Sequence, residues 1–147
     1  GVPSASARLQ QARRWIAHDS RVYSLAFNAS ATRLLTAGED GFLKVWSLDS
    51  PQINKIAPKV VGDFALINDE EIVVCAKNLS ICSLSTGKVL RELPDSSEEW
   101  RSVRYARAIN TVFALDRAGQ VFSWSLTDPV RISVWKSNED RHGVQFD

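Results

Sequence analysis

Near the start of the chain, His18, Thr36 and Asp40 have the side-chain types of a hydroxyl–imidazole–carboxylate triad, the set that activates an oxygen nucleophile. That chemistry needs an exposed nucleophile and donors for an oxyanion. Thr36 instead sits inside the strand-like run Leu34-Leu35-Thr36-Ala37, with no nucleophile elbow around it, so the trio reads as structural. Nor is another reaction centre visible. The carboxylates Asp69-Glu70-Glu71 fall in a turn and adjoin no acid/base partner that the sequence shows. His18, His142, Cys75 and Cys82 lack metal-ligand spacing, which makes a zinc site improbable. The 7 glycines never approach a nucleotide-binding fingerprint. The expectation is therefore no catalytic residue, no metal, no cofactor and no enzyme.

The elements that hold these residues must be built from 147 residues, of which 44% are apolar and 24% charged, the balance of a soluble globular protein. A net charge of +1 removes any whole-chain argument for nucleic-acid or membrane attraction. The longest apolar run, Ile72-Val73-Val74-Cys75-Ala76, falls far short of the roughly 20 residues of a membrane span. No charged-then-apolar leader opens the chain, so secretion is not expected. Both cysteines lie in apolar runs and read as buried thiols of a reducing, intracellular compartment, cytoplasmic or nuclear. Gly1 stands first and Met is absent, so either a tag remnant opens the chain or it is an internal piece of something longer.

Internal repetition is the strongest signal. Trp46-Ser47-Leu48, Cys82-Ser83-Leu84 and Trp124-Ser125-Leu126 echo one another, the outer two being 78 positions apart, or 39 per period. The lead-in segments echo too: Val22-Tyr23-Ser24-Leu25-Ala26-Phe27, Val61-Gly62-Asp63-Phe64-Ala65-Leu66, Val103-Arg104-Tyr105-Ala106 and the closing Val144-Gln145-Phe146. Each period divides into four strand-sized pieces parted by turn residues. The strands expected are 22–27, 34–37, 42–47 and 53–57, then 60–67, 71–75, 79–83 and 88–93, then 101–107, 111–115, 120–125 and 130–136. Residues 9–17 fit an outer strand of a preceding unit, although 7–16 are helical on propensity alone.

The run His18-Asp19-Ser20-Arg21-Val22-Tyr23-Ser24-Leu25-Ala26-Phe27, through Leu34-Leu35-Thr36-Ala37-Gly38-Glu39-Asp40-Gly41, to Leu43-Lys44-Val45-Trp46, resembles a WD-repeat. The match is close over that repeat and degenerate over the next two, which together cover nearly the whole chain. The resemblance implies an all-β fold: a partial WD-repeat β-propeller of about three four-stranded antiparallel blades, plus flanking strands of neighbouring blades. The expected divisions are 1–17 as an outer strand of a preceding blade, 18–58, 59–94 and 95–137 as blades, and 138–147 as the start of the next.

By the same resemblance, His18, Thr36, Asp40 and Trp46 form a hydrogen-bonded tetrad that locks a turn to its blade. The later repeats lack it: Cys82 replaces the tryptophan in the second, and in the third Ala114 aligns with Thr36, Ala118 with Asp40, and Asp116 sits two places early. WD-repeat propellers typically bind peptides and proteins on their narrower face and sides. The implied function is a non-catalytic protein-interaction scaffold that helps assemble a multi-protein complex. Partner-binding candidates by alignment are Arg21, Tyr23, Glu39, Lys77, Trp100, Arg104 and Arg117, a mix rich in hot-spot residue types. The polar connections 94–100 and 138–142, and Trp135, are further candidates for contacts; His142 reads as the next blade's counterpart of His18.

A basic patch supplies the alternative. Arg8, Arg13, Arg14, Arg21 and Arg33 stand against Asp19 alone. They read as an RNA or acidic-partner footprint of a ribonucleoprotein scaffold, with Trp15 and Tyr23 for stacking, or more simply as a solvated strand whose long stems cover apolar surface. No RNA-binding motif accompanies them. Finally, closed rings need at least roughly four blades. About three blades leave raw edges and faces, so the chain is expected to be part of a longer protein or to close its ring with another copy or another chain.

Overall fold

The computed structural model describes residues 9–49, 53–56, 58–127 and, as backbone, 131–136. They form three four-stranded antiparallel sheets, each an up-and-down meander in chain order. The first blade is β1 (Val22–Phe27), β2 (Arg33–Gly38), β3 (Leu43–Ser47) and β4 (Ile53–Lys55). The second is β5 (Phe64–Leu66), β6 (Glu71–Cys75), β7 (Leu79–Ser83) and β8 (Val89–Glu92), and the third is β9 (Trp100–Ala106), β10 (Thr111–Asp116), β11 (Gln120–Ser125) and β12 (Arg131–Lys136). A 3-10 turn, Arg107–Ile109, lies between β9 and β10 and ends on left-handed Asn110.

The twelve strands fall where turn chemistry and apolar runs place them, with one large difference. The strand expected over 60–67 shrinks to Phe64–Leu66. Gly62 adopts φ +131°, and the backbone around it pairs two residues against one: Val61 N–H donates to Cys75 C=O at 2.8 Å and Cys75 N–H to Asp63 C=O at 3.0 Å. That is a bulge, and it ends the regular ladder. The other innermost strands slip at corresponding places, across Tyr23 in β1 and Arg101 in β9. The three sites are spaced 39 residues apart, so the repeat includes its irregularity.

Residues 9–17, expected as an outer strand, pair with no described strand. An outer strand exists only through hydrogen bonds to an inner neighbour, and none of the three sheets offers it one. Arg8, residues 138–142 and Val144-Gln145-Phe146 lie outside the described residues. Trp135 is described only as part of the backbone of β12.

The core is two apolar layers between blades rather than one central mass. Leu35, Ala37, Leu43 and Val45 of the first blade meet Ile72, Val74, Cys82 and Leu84 of the second. On the other side of the second blade, Val73, Cys75, Leu79 and Ile81 meet Trp100, Val103 and Trp124 of the third. Successive residues of β6 thus serve opposite layers, which explains its unbroken apolar run: a strand covered on both faces has no polar side. Polar clasps tie the blades as well. Asp63 Oδ2 accepts from Ser102 Oγ (2.9 Å), Val103 N–H (3.0 Å) and Arg104 Nη1 (2.7 Å).

Candidate functional site

In the first blade, four side chains join into one hydrogen-bonded relay. Trp46 Nε1–H donates to Thr36 Oγ1 at 3.0 Å. Thr36 Oγ1 lies 2.8 Å from His18 Nε2, and His18 Nδ1 lies 2.9 Å from Asp40 Oδ2. Because the Thr36 oxygen already accepts from Trp46, its own hydrogen is free for Nε2; Nδ1 then carries the imidazole proton and donates it to the carboxylate. Asp40 Oδ1 also accepts from Phe42 N–H at 3.0 Å, closing the β2–β3 turn. Burial acts most strongly on Asp40 and would raise its pKa. The hydrogen bonds from Phe42 and His18 and the neighbouring charge of Lys44 outweigh it, so the carboxyl sits below its ordinary 3.8. The His18 side chain has 0% of its surface exposed, and Thr36 is buried. No substrate can reach the Thr36 hydroxyl, so this arrangement holds a turn rather than activating a nucleophile.

Asp116 shows how the third blade manages without the relay. It stands where Gly38 stands in the first blade, and its Oδ1 accepts from Ala118 N–H (2.9 Å) and Gln120 N–H (2.7 Å). Gln120 is the counterpart of Phe42, so the same turn donor is capped from a residue two places earlier. Two indoles do the rest: Trp124 Nε1 donates to Pro94 C=O and Trp100 Nε1 to Ser96 C=O, both at 2.8 Å. Trp100, Phe122 and Trp124 pack together with edge-on and tilted rings, centroids 5.5 to 6.4 Å apart.

This corrects the placing of Trp100 among surface contacts. It is 3% exposed and belongs to the layer between the second and third blades, because a bulky ring at the start of β9 is what fills that layer. Arg104 is exposed, but its guanidinium is held by Asp63. Arg21 and Glu39 stand 3.8 Å apart on the surface, and Arg117 and Glu99 3.9 Å apart. Tyr23 is exposed at its bulge, and Lys77 is exposed in the β6–β7 turn.

Lys77 and Arg117 share one feature. A groove of about 890 Å³ runs across the turn end of the second blade, lined by both residues together with Lys59, Val61, Glu99 and the edge of Trp100. Val61 escaped the sequence reading because it was assigned to a regular strand over 60–67, and the glycine at 62 was the available signal; nothing in the sequence pointed to Lys59. Of the described arginines in the N-terminal third, Arg21 and Arg33 do not lie together. Arg21 precedes β1 and Arg33 begins β2, which puts them at opposite ends of antiparallel neighbours. Arg13 reaches Leu48 C=O at 3.4 Å, Arg33 lies 3.6 Å from Glu70, and Arg14 is exposed.

Among the described residues, no group of His, Cys, Asp and Glu could hold a metal ion, and no helix is long and apolar enough to cross a membrane. The family model "WD domain, G-beta repeat" matches residues 9–47. Pre-mRNA-processing factor 17 of Homo sapiens and of Mus musculus are each 26% identical over 125 residues, covering 84% of this chain and 21% of the relative. Protein tipD of Dictyostelium discoideum is 41% identical over 54 residues, covering 35% of this chain and 9% of the relative. The chain thus spans about a fifth of the length of the first two relatives. Among solved structures, the WD40 β-propeller domain of Doa1 superposes with TM-score 0.69 at 19% identity, over 83% of this chain and 43% of that one. The computationally designed Ika4 protein gives TM-score 0.69 at 19% identity, over 85% and 78%. With three antiparallel meanders packed face to face, the chain has the fold of β-propeller blades, and its residues 9–47 carry a match to the WD repeat.

Proposed function

We propose that the chain is a non-catalytic protein-interaction scaffold, intracellular, and a contributor to the assembly of a multi-protein complex. The observation that carries this is the groove at the turn end of the second blade, where Lys77 and Arg117 stand beside Glu99 over an apolar wall of the exposed Val61 and Val89. Charged rims around apolar floors suit peptide side chains, which gain affinity from the apolar contact and register from the charges. Arg21, Tyr23 and Glu39 extend the exposed surface at the same end of the first blade, and His18, Thr36, Asp40 and Trp46 serve as its rigid mount. Replacing Arg21, Tyr23, Lys77 and Arg117 together by Ala should weaken capture of partner proteins in a pull-down while leaving the unfolding midpoint nearly unchanged. Undiminished capture would remove this reading.

A second reading draws on the similarity to Pre-mRNA-processing factor 17, whose name places that protein in pre-mRNA processing. By it, the scaffold works inside a ribonucleoprotein assembly, with Arg8, Arg13 and Arg14 toward RNA phosphates. Phosphate contacts weaken steeply as salt rises, whereas apolar peptide contacts do not, so the salt dependence of binding separates the two.

A further inference from the structure

Each blade sets one charged side chain in the turn after its second strand, two positions beyond Ala37, Cys75 and Leu115: Glu39, Lys77 and Arg117. In the first and third blades a residue ahead of the innermost strand answers it. Glu39 N–H donates to Arg21 C=O at 2.8 Å, and the two charged groups lie 3.8 Å apart. Arg117 N–H donates to Glu99 C=O at 3.0 Å, with the charges 3.9 Å apart. In the second blade the answering place is Val60, 39 positions after Arg21 and 39 before Glu99, and it is 1% exposed. Lys77 therefore has no acid beside it, and among the described residues it forms no ion pair.

A second unmatched cation lines the same groove. Val60 N–H donates to Gly41 C=O at 2.9 Å, which ties the segment before β5 to the β2–β3 turn. The Lys59 stem crosses Gly41, where a Cβ would meet its Cγ and Cε at 2.9 Å. Lys59 is thus held at the first-blade end of the groove, and among the described residues it also lacks an ion pair. Glu99, held by Arg117, stands at the third-blade end, and the exposed Val61 and Val89 supply the aliphatic wall.

We propose that the groove takes an extended peptide segment with an acidic side chain next to an aliphatic one, a partner class that rests on the scaffold reading above. The acid supplies Lys59 and Lys77 with the charge that Val60 withholds, and the aliphatic side chain covers Val61 and Val89. Ammonium groups act as point charges on long stems, so they accept a carboxylate without demanding one fixed geometry. Each exposed pair adds little alone, which makes the apolar contact necessary. An RNA strand fits worse. Glu98 and Glu99 line the same groove and repel a phosphate backbone running along it, and Trp100, only 3% exposed, offers no ring face for a base to stack on.

The probe is a random heptapeptide library displayed on phage, selected on the full chain and on a variant carrying Lys59→Glu and Lys77→Glu. Peptides that adhere elsewhere are recovered equally from both and cancel. On the wild type, Asp or Glu beside Ile, Leu or Val should be enriched about 3-fold or more over the unselected library. On the variant, Lys and Arg should take their place. The same preferences on both proteins, or acidic residues enriched without an aliphatic neighbour, overturn the inference. A uridine dodecamer bound by the wild type and not by the variant, with no peptide enriched, also overturns it, in favour of RNA. The buried Cys75 and Cys82 stay silent to a maleimide while the blades are folded; should the double variant fail that check, Lys77→Glu alone, exposed in its turn, carries the same reading. The scaffold reading fails separately: capture that drops in the fourfold alanine variant, with no acidic preference in the library, removes this partner class and leaves the scaffold standing.

Discussion

Gly38 lies flat against the ring of His18: a Cβ on residue 38 would stand 2.6 Å from Nδ1 and 2.7 Å from Cγ. The glycine is required by the imidazole rather than by a positive φ. The third blade makes the point in reverse, because there the same position is Asp116 and the position of His18 is Ser96, which leaves the space free for a carboxylate.

Gly38→Ala should therefore destabilise the first blade by about 1–3 kcal/mol, the usual cost of forcing an extra carbon into a packed site. Denaturant titration followed by Trp46 fluorescence would measure it. Gly62→Ala probes a different cost: nothing lies within 4 Å of a Cβ there, so any loss comes from the strained φ of +131° alone.

Acid should act through two carboxyls. Asp40 is held below its ordinary value as described above. Glu70 is too: partial burial is the largest influence and raises it, but the hydroxyl and N–H of Ser85, the hydroxyl of Ser83 and the charge of Arg33 prevail. A carboxyl lowered in the folded state contributes stability above its unfolded pKa and loses it as pH falls through the folded one. Thermal midpoints should accordingly hold level down to about pH 4 and then fall, and Asp40→Asn should flatten part of that fall. A midpoint of wild type and variant that declines in parallel below pH 4 would count against the role given to Asp40.

Cys75 and Cys82 should be inert in the native state. Burial, aided by the nearby charge of Asp63, pushes the Cys75 thiol up to about 12, and burial alone pushes Cys82 up to about 11. They face opposite layers, so no disulfide joins them. At pH 8 a soluble thiol reagent should leave both unmodified until denaturant opens the blades. Cys82 reports opening of the first layer and Cys75 of the second, and mass spectrometry at intermediate denaturant would show which layer parts first.

The clasp between the second and third blades should be lopsided. Asp63→Ala removes the acceptor of three donors, including the Val103 N–H, and should cost about 1–3 kcal/mol. Arg104→Ala removes an exposed partner and should cost about 0–1 kcal/mol. Equal losses in urea denaturation would mean that the ion pair, rather than the backbone hydrogen bond, ties the blades.

The sequence by itself determined the repeat of 39, the four strands in each period and the all-β class, because alternation and turn residues act locally. The resemblance of residues 18–46 to a WD-repeat implied the relay of His18, Thr36, Asp40 and Trp46, all of which are local to one blade. Only the tertiary structure decided which side of each strand is core. Ile72 and Val73 look alike in the sequence, yet they serve opposite layers, since a blade between two others is covered twice. Trp100 looked like a surface anchor until the neighbouring blade turned it into core. The arginines looked like one patch until antiparallel strands carried Arg21 and Arg33 to opposite ends. Asp63 gave no sign at all, because its partners lie 39 to 41 residues away and meet it only when one blade packs on the next.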